Sequence, residues 1–180
     1  MQNNAEIERR PWFSWGRLLD LLAVLVIAFV VWKIFVAPRV LKQSASAYPA
    51  PRVSYERLNG GTFSIGDAHG HVLFLDFFAS WCEPCRLQMP MVEAYARKHP
   101  EVQVLAVDVG EPRVVAAAFA KRYRLPNVAL DPTTRSQGFF QIEGFPTVVV
   151  IDPQGRIRAT WSGFNPAIEM AMSNAERTLR

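Results

Sequence analysis

The 180-residue sequence predicts an α/β fold: a central mixed sheet flanked by helices, with a transmembrane helix ahead of it. Three observations carry this expectation. From about residue 52 onward, short apolar, strand-like runs alternate with segments of helical periodicity, the pattern of a sheet covered by helices on both faces. Residues 18–37 form an apolar run of bilayer length that precedes the alternating part. The two cysteines, Cys82 and Cys85, stand at a strand-to-helix junction just past the carboxyl end of a central strand, where such sheets place their sites.

The expected organisation is a short N-terminal segment (1–17), an anchor (18–37), a linker (38–51) and a folded domain (52–180). Asp20 and Lys33 interrupt the anchor near its ends, where both can reach toward the interface. Trp12, Trp15 and Trp32 lie near the boundaries, as interfacial aromatics do. Ala45-Ser46-Ala47 has the small residues of a cleavage site but lies about ten residues beyond the apolar run, so an uncleaved anchor in contact with membrane lipid is expected. Arg9, Arg10 and Arg17 before the run are balanced by Lys33, Arg39 and Lys42 within or after it, so charge alone assigns no orientation. The prolines and small residues of 38–51 give the linker.

Within the domain, Val72-Leu73-Phe74-Leu75-Asp76-Phe77-Phe78 is a nearly unbroken apolar run, read as a strand covered on both faces. Asp76 is its anomaly: a carboxylate there loses its water, which raises its pKa toward neutrality. Leu87, Met91 and Tyr95 fall in helical register, with a kink expected at Pro90. Residues 102–107 read as a strand, 113–123 as a helix, 128–130 as a short strand and 136–141 as a short helix. Strands 147–151 and 156–161 are joined by the turn Asp152-Pro153-Gln154-Gly155, and a last helix covers about 166–179.

Residues 1–50 carry six Lys or Arg and three Asp or Glu, so most of the net charge of +4 belongs to the tether. Nucleic acid is therefore not an expected partner. The domain alone is large enough to bury an adequate core.

The chemistry lies in Trp81-Cys82-Glu83-Pro84-Cys85. With Cys82 ending the loop and Cys85 in the first helical turn, the two sulfurs can close and reopen a disulfide with little backbone movement. The outer sulfur, that of Cys82, is expected to face solvent. Unpaired N–H groups and the helix dipole favour an anion at Cys82, lowering its pKa and making it the attacking thiol. Pro84 sits where a missing N–H costs nothing, and Glu83 and Pro84 are expected to tune the redox potential. A zinc site wants about four ligands, and His69, His71 and His99 have no chelating spacing to the cysteines, so no metal is expected. A purely structural disulfide gains little from so short a loop. The expected redox group is the Cys82–Cys85 disulfide itself, without a further cofactor.

Trp81-Cys82-Glu83-Pro84-Cys85 with Gly144-Phe145-Pro146-Thr147 downstream resembles the thioredoxin superfamily. Within it, the chain is similar to the membrane-anchored TlpA/ResA-type thiol-disulfide oxidoreductases over roughly residues 52–178. The hairpin in 55–64, the stretch Val107-Asp108-Val109-Gly110-Glu111 and the insertion around 128–141 belong to the likeness. The resemblance implies a thioredoxin-like fold and a cis Pro146 lying against the dithiol, exposing the Phe145 backbone for pairing with a substrate chain. Trp81, Phe145 and Pro146 are thus the expected substrate-binding residues. Two departures stand out. The family's usual glutamate three residues after the second cysteine is Gln88 here, and the strand position often held by asparagine is Asp76, as in thioredoxin. Either Asp76 has taken over deprotonation of Cys85, with Gln88 left to tune the potential, or Asp76 is a solvated or merely hydrogen-bonded carboxylate.

The expected function is that of an extracytoplasmic, single-pass membrane reductase of protein disulfides acting through Cys82 and Cys85, with Asp76 assisting. The resemblance implies an electron donor of the DsbD/CcdA kind and apocytochrome c among the substrates. The same residues serve oxidation or isomerisation, and a non-catalytic module that grips extended peptides beside Pro146 is the alternative of a different class.

Overall fold

The computed structural model describes residues 15–31 and 47–180. Along the chain it forms helix α1 (Trp15–Val31), strands β1 (Tyr48–Pro49), β2 (Ser54–Arg57) and β3 (Thr62–Ser64), and a 3₁₀ turn at Ile65–Ala68. Then come β4 (Leu73–Phe78), α2 (Glu83–Lys98), β5 (Gln103–Val109), α3 (Arg113–Tyr123) and β6 (Val128–Asp131). The remainder is α4 (Arg135–Phe140), β7 (Thr147–Ile151), β8 (Arg156–Ser162) and α5 (Ile168–Leu179).

Two compact units divide the chain, Met1–Pro38 and Arg39–Arg180. In the first, α1 is a 17-residue helix whose side chains from Asp20 to Val31 are exposed. At 1.5 Å per residue its described residues span about 26 Å. No helix among the described residues is long and apolar enough to cross a membrane. The rest of the expected anchor (32–37), the N-terminal residues 1–14 with Trp12, and linker residues 38–46 lie outside the described residues.

In the second unit eight strands form one sheet in the order β1-β8-β7-β4-β5-β6-β2-β3. β4, β5 and β6 run parallel, while β7 joins β4 antiparallel, which makes the sheet mixed. All six residues of β4 are buried, as expected of an apolar strand between two paired neighbours. Alternation then sorts them by face. Leu73, Leu75 and Phe77 pack with Leu105, Val107 and Val109, with Tyr55 and Phe63 of the hairpin, and with Phe140 of α4. Phe74 packs with Val92 and Tyr95 of α2 and Ile168 and Met172 of α5, and Phe78 packs with Met89 of α2 and Phe119 of α3. Phe77 and Phe140 meet at 5.1 Å between ring centroids, and Phe77 is fully buried. Phe77→Ala should therefore cost about 3–5 kcal/mol in urea denaturation, from lost transfer free energy plus the cavity left.

One expectation needs correction. Tyr48 and Pro49, read as linker, form an edge strand opposite Ile157 and Arg156, with Ala50 N–H donating to Gly155 O at 2.9 Å. An edge position tolerates proline because one side of the strand needs no donor. Pro90, where a kink is expected, lies inside α2, which continues through it to Lys98.

Glu176 links α5 to α2. It is buried, accepts from the Tyr95 hydroxyl, and pairs with His99 Nδ1 at 3.1 Å and with Arg180. The ligand atoms of His99, Glu101 and Glu176 lie within 4.8 Å of one another, and Arg180 is paired with both carboxylates, so the cluster is closed as an ion network.

Candidate active site

β4 ends at Phe78, and after four intervening residues α2 begins at Glu83. Cys82 is its N-cap and Cys85 lies in its first turn, joined as a disulfide with Cα atoms 5.3 Å apart. Cys82 N–H donates to Ala79 O at 3.1 Å, closing the turn, and Cys85 N–H donates to Cys82 Sγ at 3.2 Å. One of the helix's orphan donors is thus aimed at the outer sulfur, and the positive end of the dipole lies behind it. Pro84 occupies the start of the helix, where its lack of an N–H leaves nothing unmade.

The expectation that Cys82 faces solvent is corrected for this disulfide form. Cys82 is 4% exposed and Cys85 1%, because both sulfurs belong to a cluster with Phe78, Met89 and Phe119, against which Phe145 also packs. The exposed group is Trp81, at 68%, whose ring meets Phe145 edge-on at 6.0 Å. The Phe145–Pro146 bond is cis, and Pro146 is buried with its carbonyl accepting from Gly163 N–H at 2.7 Å. Trp81 and Phe145 therefore form one apolar surface at the carboxyl end of β4, with the dithiol buried in the cluster that Phe145 packs against.

The residues expected to tune the potential divide into surface and interior. Glu83 is exposed and pairs with Arg86 at 2.9 Å, while Arg86 Nε and Nη2 also donate to Ser80 O at 3.0 and 2.8 Å. Gln88 is buried, and its Oε1 accepts from Asn165 N–H at 2.9 Å, tying α2 to the segment before α5.

Asp76 is buried in mid-strand with no hydrogen-bond partner for either carboxylate oxygen among the described residues. Burial, reinforced by the Glu93 carboxylate, pushes its pKa up to about 8. Glu93 is the first group that reading the sequence missed: it is a buried carboxylate on α2, one oxygen of which is unpartnered, and burial pushes its pKa up as well. Asp108 is the second. It is fully buried near the end of β5, no donor reaches either oxygen among the described residues, and burial, followed by the charge of Glu111 and a hydrogen bond to it, pushes it up to about 8. Asp108 was detectable in the sequence, because it interrupts an apolar strand just as Asp76 does. Glu93 gave no such signal, since a glutamate in an amphipathic helix is ordinarily solvated. Glu111 and Ser80, which bond one another, belong to different loops and share no sequence pattern.

Residues 47–160 match the AhpC/TSA family. The thiol-disulfide oxidoreductase ResA of Bacillus subtilis is 29% identical over 153 residues, 83% of either chain. The ResA of Geobacillus kaustophilus is 32% identical over 117 residues, 63% of this chain and 67% of that protein. Among solved structures, a Chlorobium tepidum protein assigned as thiol:disulfide interchange protein DsbE superposes with a TM-score of 0.67 at 29% identity, covering 74% of this chain and 96% of that one. A thiol:disulfide interchange protein of the thioredoxin family from Chlorobium tepidum TLS has the same fold, at a TM-score of 0.63 and 21% identity. With the disulfide at a helix start, the cis bond before Pro146 and these relatives, the chain belongs to the AhpC/TSA family as a thiol-disulfide oxidoreductase of the TlpA/ResA type.

Proposed function

We propose that the protein is a membrane-tethered reductase of protein disulfides, with its redox domain on the extracytoplasmic side. The observation that carries the reading is the pairing of a dithiol at a helix N-terminus with an unpartnered, buried carboxylate in the strand that leads to it. In the reduced domain the Cys82 thiolate attacks one sulfur of a substrate disulfide, forming a mixed disulfide and releasing the first substrate thiolate. The Cys85 thiol passes its proton to Asp76, and its thiolate attacks Cys82 Sγ. The mixed disulfide breaks, the second substrate thiolate leaves, and the Cys82–Cys85 disulfide closes with two electrons transferred to substrate. A carboxyl group that titrates near pH 8 can give and take that proton at neutral pH.

Phe145 supports a strand-like mode of substrate docking. Its backbone N–H and C=O make no hydrogen bond among the described residues, and it stands between exposed Trp81 and buried Pro146. Gln88 and Glu83 act on the potential through α2 and its first-turn charge. The tether reading draws on the exposed apolar side chains of α1, from Leu21 to Val31, which need an apolar surrounding. An oxidised domain needs electrons from outside itself, which a membrane donor of the DsbD/CcdA kind would supply. Apocytochrome c, with its paired cysteines, is the proposed substrate.

The test is capture in intact cells. A Cys85→Ser variant should accumulate mixed disulfides through Cys82, identified by mass spectrometry, with cysteine pairs of extracytoplasmic proteins among them. Absence of any adduct would favour a peptide-binding module. Recovery of the full chain in a carbonate-soluble fraction would remove the tether.

A further inference from the structure

Glu111 and Asp108 stand outside the exchange steps just described, yet they lie against the loop that presents the dithiol. Both oxygens of Glu111 are taken by one residue: Oε2 accepts from the Ser80 backbone N–H at 2.5 Å and Oε1 from the Ser80 hydroxyl at 2.6 Å. The Ser80 carbonyl accepts from Arg86 on α2. Each polar group of Ser80 is therefore engaged, by an anion on one side and a cation on the other. Ser80 directly precedes Trp81 and Cys82, so fixing it fixes the entry of both. Asp108 is in register with Phe78, the last residue of β4; no donor reaches its carboxylate among the described residues, and its side-chain hydrogen bond is to Glu111, which requires Asp108 to hold a proton.

We propose that Glu111 is a positioning residue that clamps the dithiol loop through Ser80, and that Asp108 is the switch on this clamp, closed while Asp108 is neutral and loosened when it ionises. The proposal rests on the reading of Cys82 as the attacking thiol. Its physical basis is that Glu111 makes two charge-assisted bonds, and a second buried negative charge beside it has no cation to compensate it. The groups around Asp108 bear this out. Its register partners, Phe78 on β4 and Leu130 on β6, do not titrate. Asp131, further along β6, is occupied by the backbone N–H groups of Arg135 and Ser136. Asp76 lies on the same sheet face two residues earlier in register. Arg86 is engaged by Ser80 and Glu83, and Arg122 of α3 stands over the Tyr123 ring at 5.9 Å. Of these, the group acting on Asp108 is Glu111, and together with burial it places the ionisation near pH 8.

The test uses the reduced full-length protein and the rate of Cys82 alkylation by iodoacetamide as a function of pH, which requires no turnover. In the wild-type protein the rate should fall below a single thiolate titration curve above the pH at which Asp108 ionises; Asp108→Asn should restore a single curve. Glu111→Gln should slow alkylation at neutral pH about tenfold, because the loop no longer aligns the sulfur with the helix N-terminus. The same variant should shift the equilibrium with glutathione about tenfold toward the disulfide, about 30 mV. Ser80→Ala, which removes one of the two bonds, should have a smaller effect in the same direction, and the double variant should fall short of the sum. Folded Asp108→Asn and Glu111→Gln proteins with wild-type pH profiles and glutathione equilibria would overturn the proposal. So would an unfolded Glu111→Gln together with a wild-type profile in Ser80→Ala. A wild-type protein that alkylates in this manner but reduces no protein disulfide would instead overturn the function proposed above and leave the clamp standing.

Discussion

Cys82→Ser is expected to abolish disulfide reduction, by at least roughly 10³-fold and down to uncatalysed exchange, whereas Cys85→Ser should lose turnover but keep the first attack. The asymmetry follows from the helix start. Cys82 is the N-cap, with the Cys85 N–H directed at its sulfur, so its thiolate is stabilised. Cys85 is 1% exposed and lies in the first turn of the helix, disulfide-bonded to Cys82. With a small dithiol as electron donor and a protein disulfide as acceptor, thiol release should be absent in Cys82→Ser. In Cys85→Ser it should stop after one equivalent, with a mixed disulfide visible by intact-protein mass. Turnover by Cys82→Ser would reverse the assignment of attacking and resolving thiols.

Asp76→Asn should stabilise the domain at neutral pH and slow the resolving step by about 10–100-fold. Asp76 titrates near pH 8 in the folded domain against an ordinary value of 3.8, so between those values the folded state holds a proton that the unfolded chain has lost. Its contribution to stability is fully present below the lower value and is lost as pH rises through the upper one, at about 1.4 kcal/mol per pH unit. Asp108 has the same raised titration and adds a similar slope. Urea midpoints of the wild-type domain should thus fall between about pH 5 and about pH 8, and Asp76→Asn should remove about half of the decline. Stopped-flow measurement with a small disulfide separates resolution from first attack. Equal pH slopes in the two proteins would mean that Asp76 is hydrated in solution. An unchanged resolving rate would make it structural and leave the proton with another group, Glu93 being the buried carboxylate whose charge acts on it.

The strands and helices around the dithiol were legible because their signals are local. The apolar run of β4, the 3.6-residue spacing of α2 and the turn between β7 and β8 are each written within a few consecutive residues, and the observed bounds lie within two residues of those expected. The edge strand β1 was not legible. Tyr48 and Pro49 carry no strand pattern, and they are extended because Ile157 and Arg156 offer a free edge.

The site divides the same way. By itself the sequence determined that a dithiol sits at a helix start after a buried strand, that Asp76 interrupts that strand, and that a proline-bearing loop follows far downstream, since each depends on residue type and spacing alone. Only the tertiary structure decided that Phe145 packs on the cluster that holds the two cysteines and meets Trp81, that Gln88 is spent on Asn165, that Glu93 is buried and acts on Asp76, and that Glu111 reaches 31 residues back to Ser80. These are contacts between separate elements. Desolvation and hydrogen bonding depend on what lies across the gap, and no spacing along the chain records that.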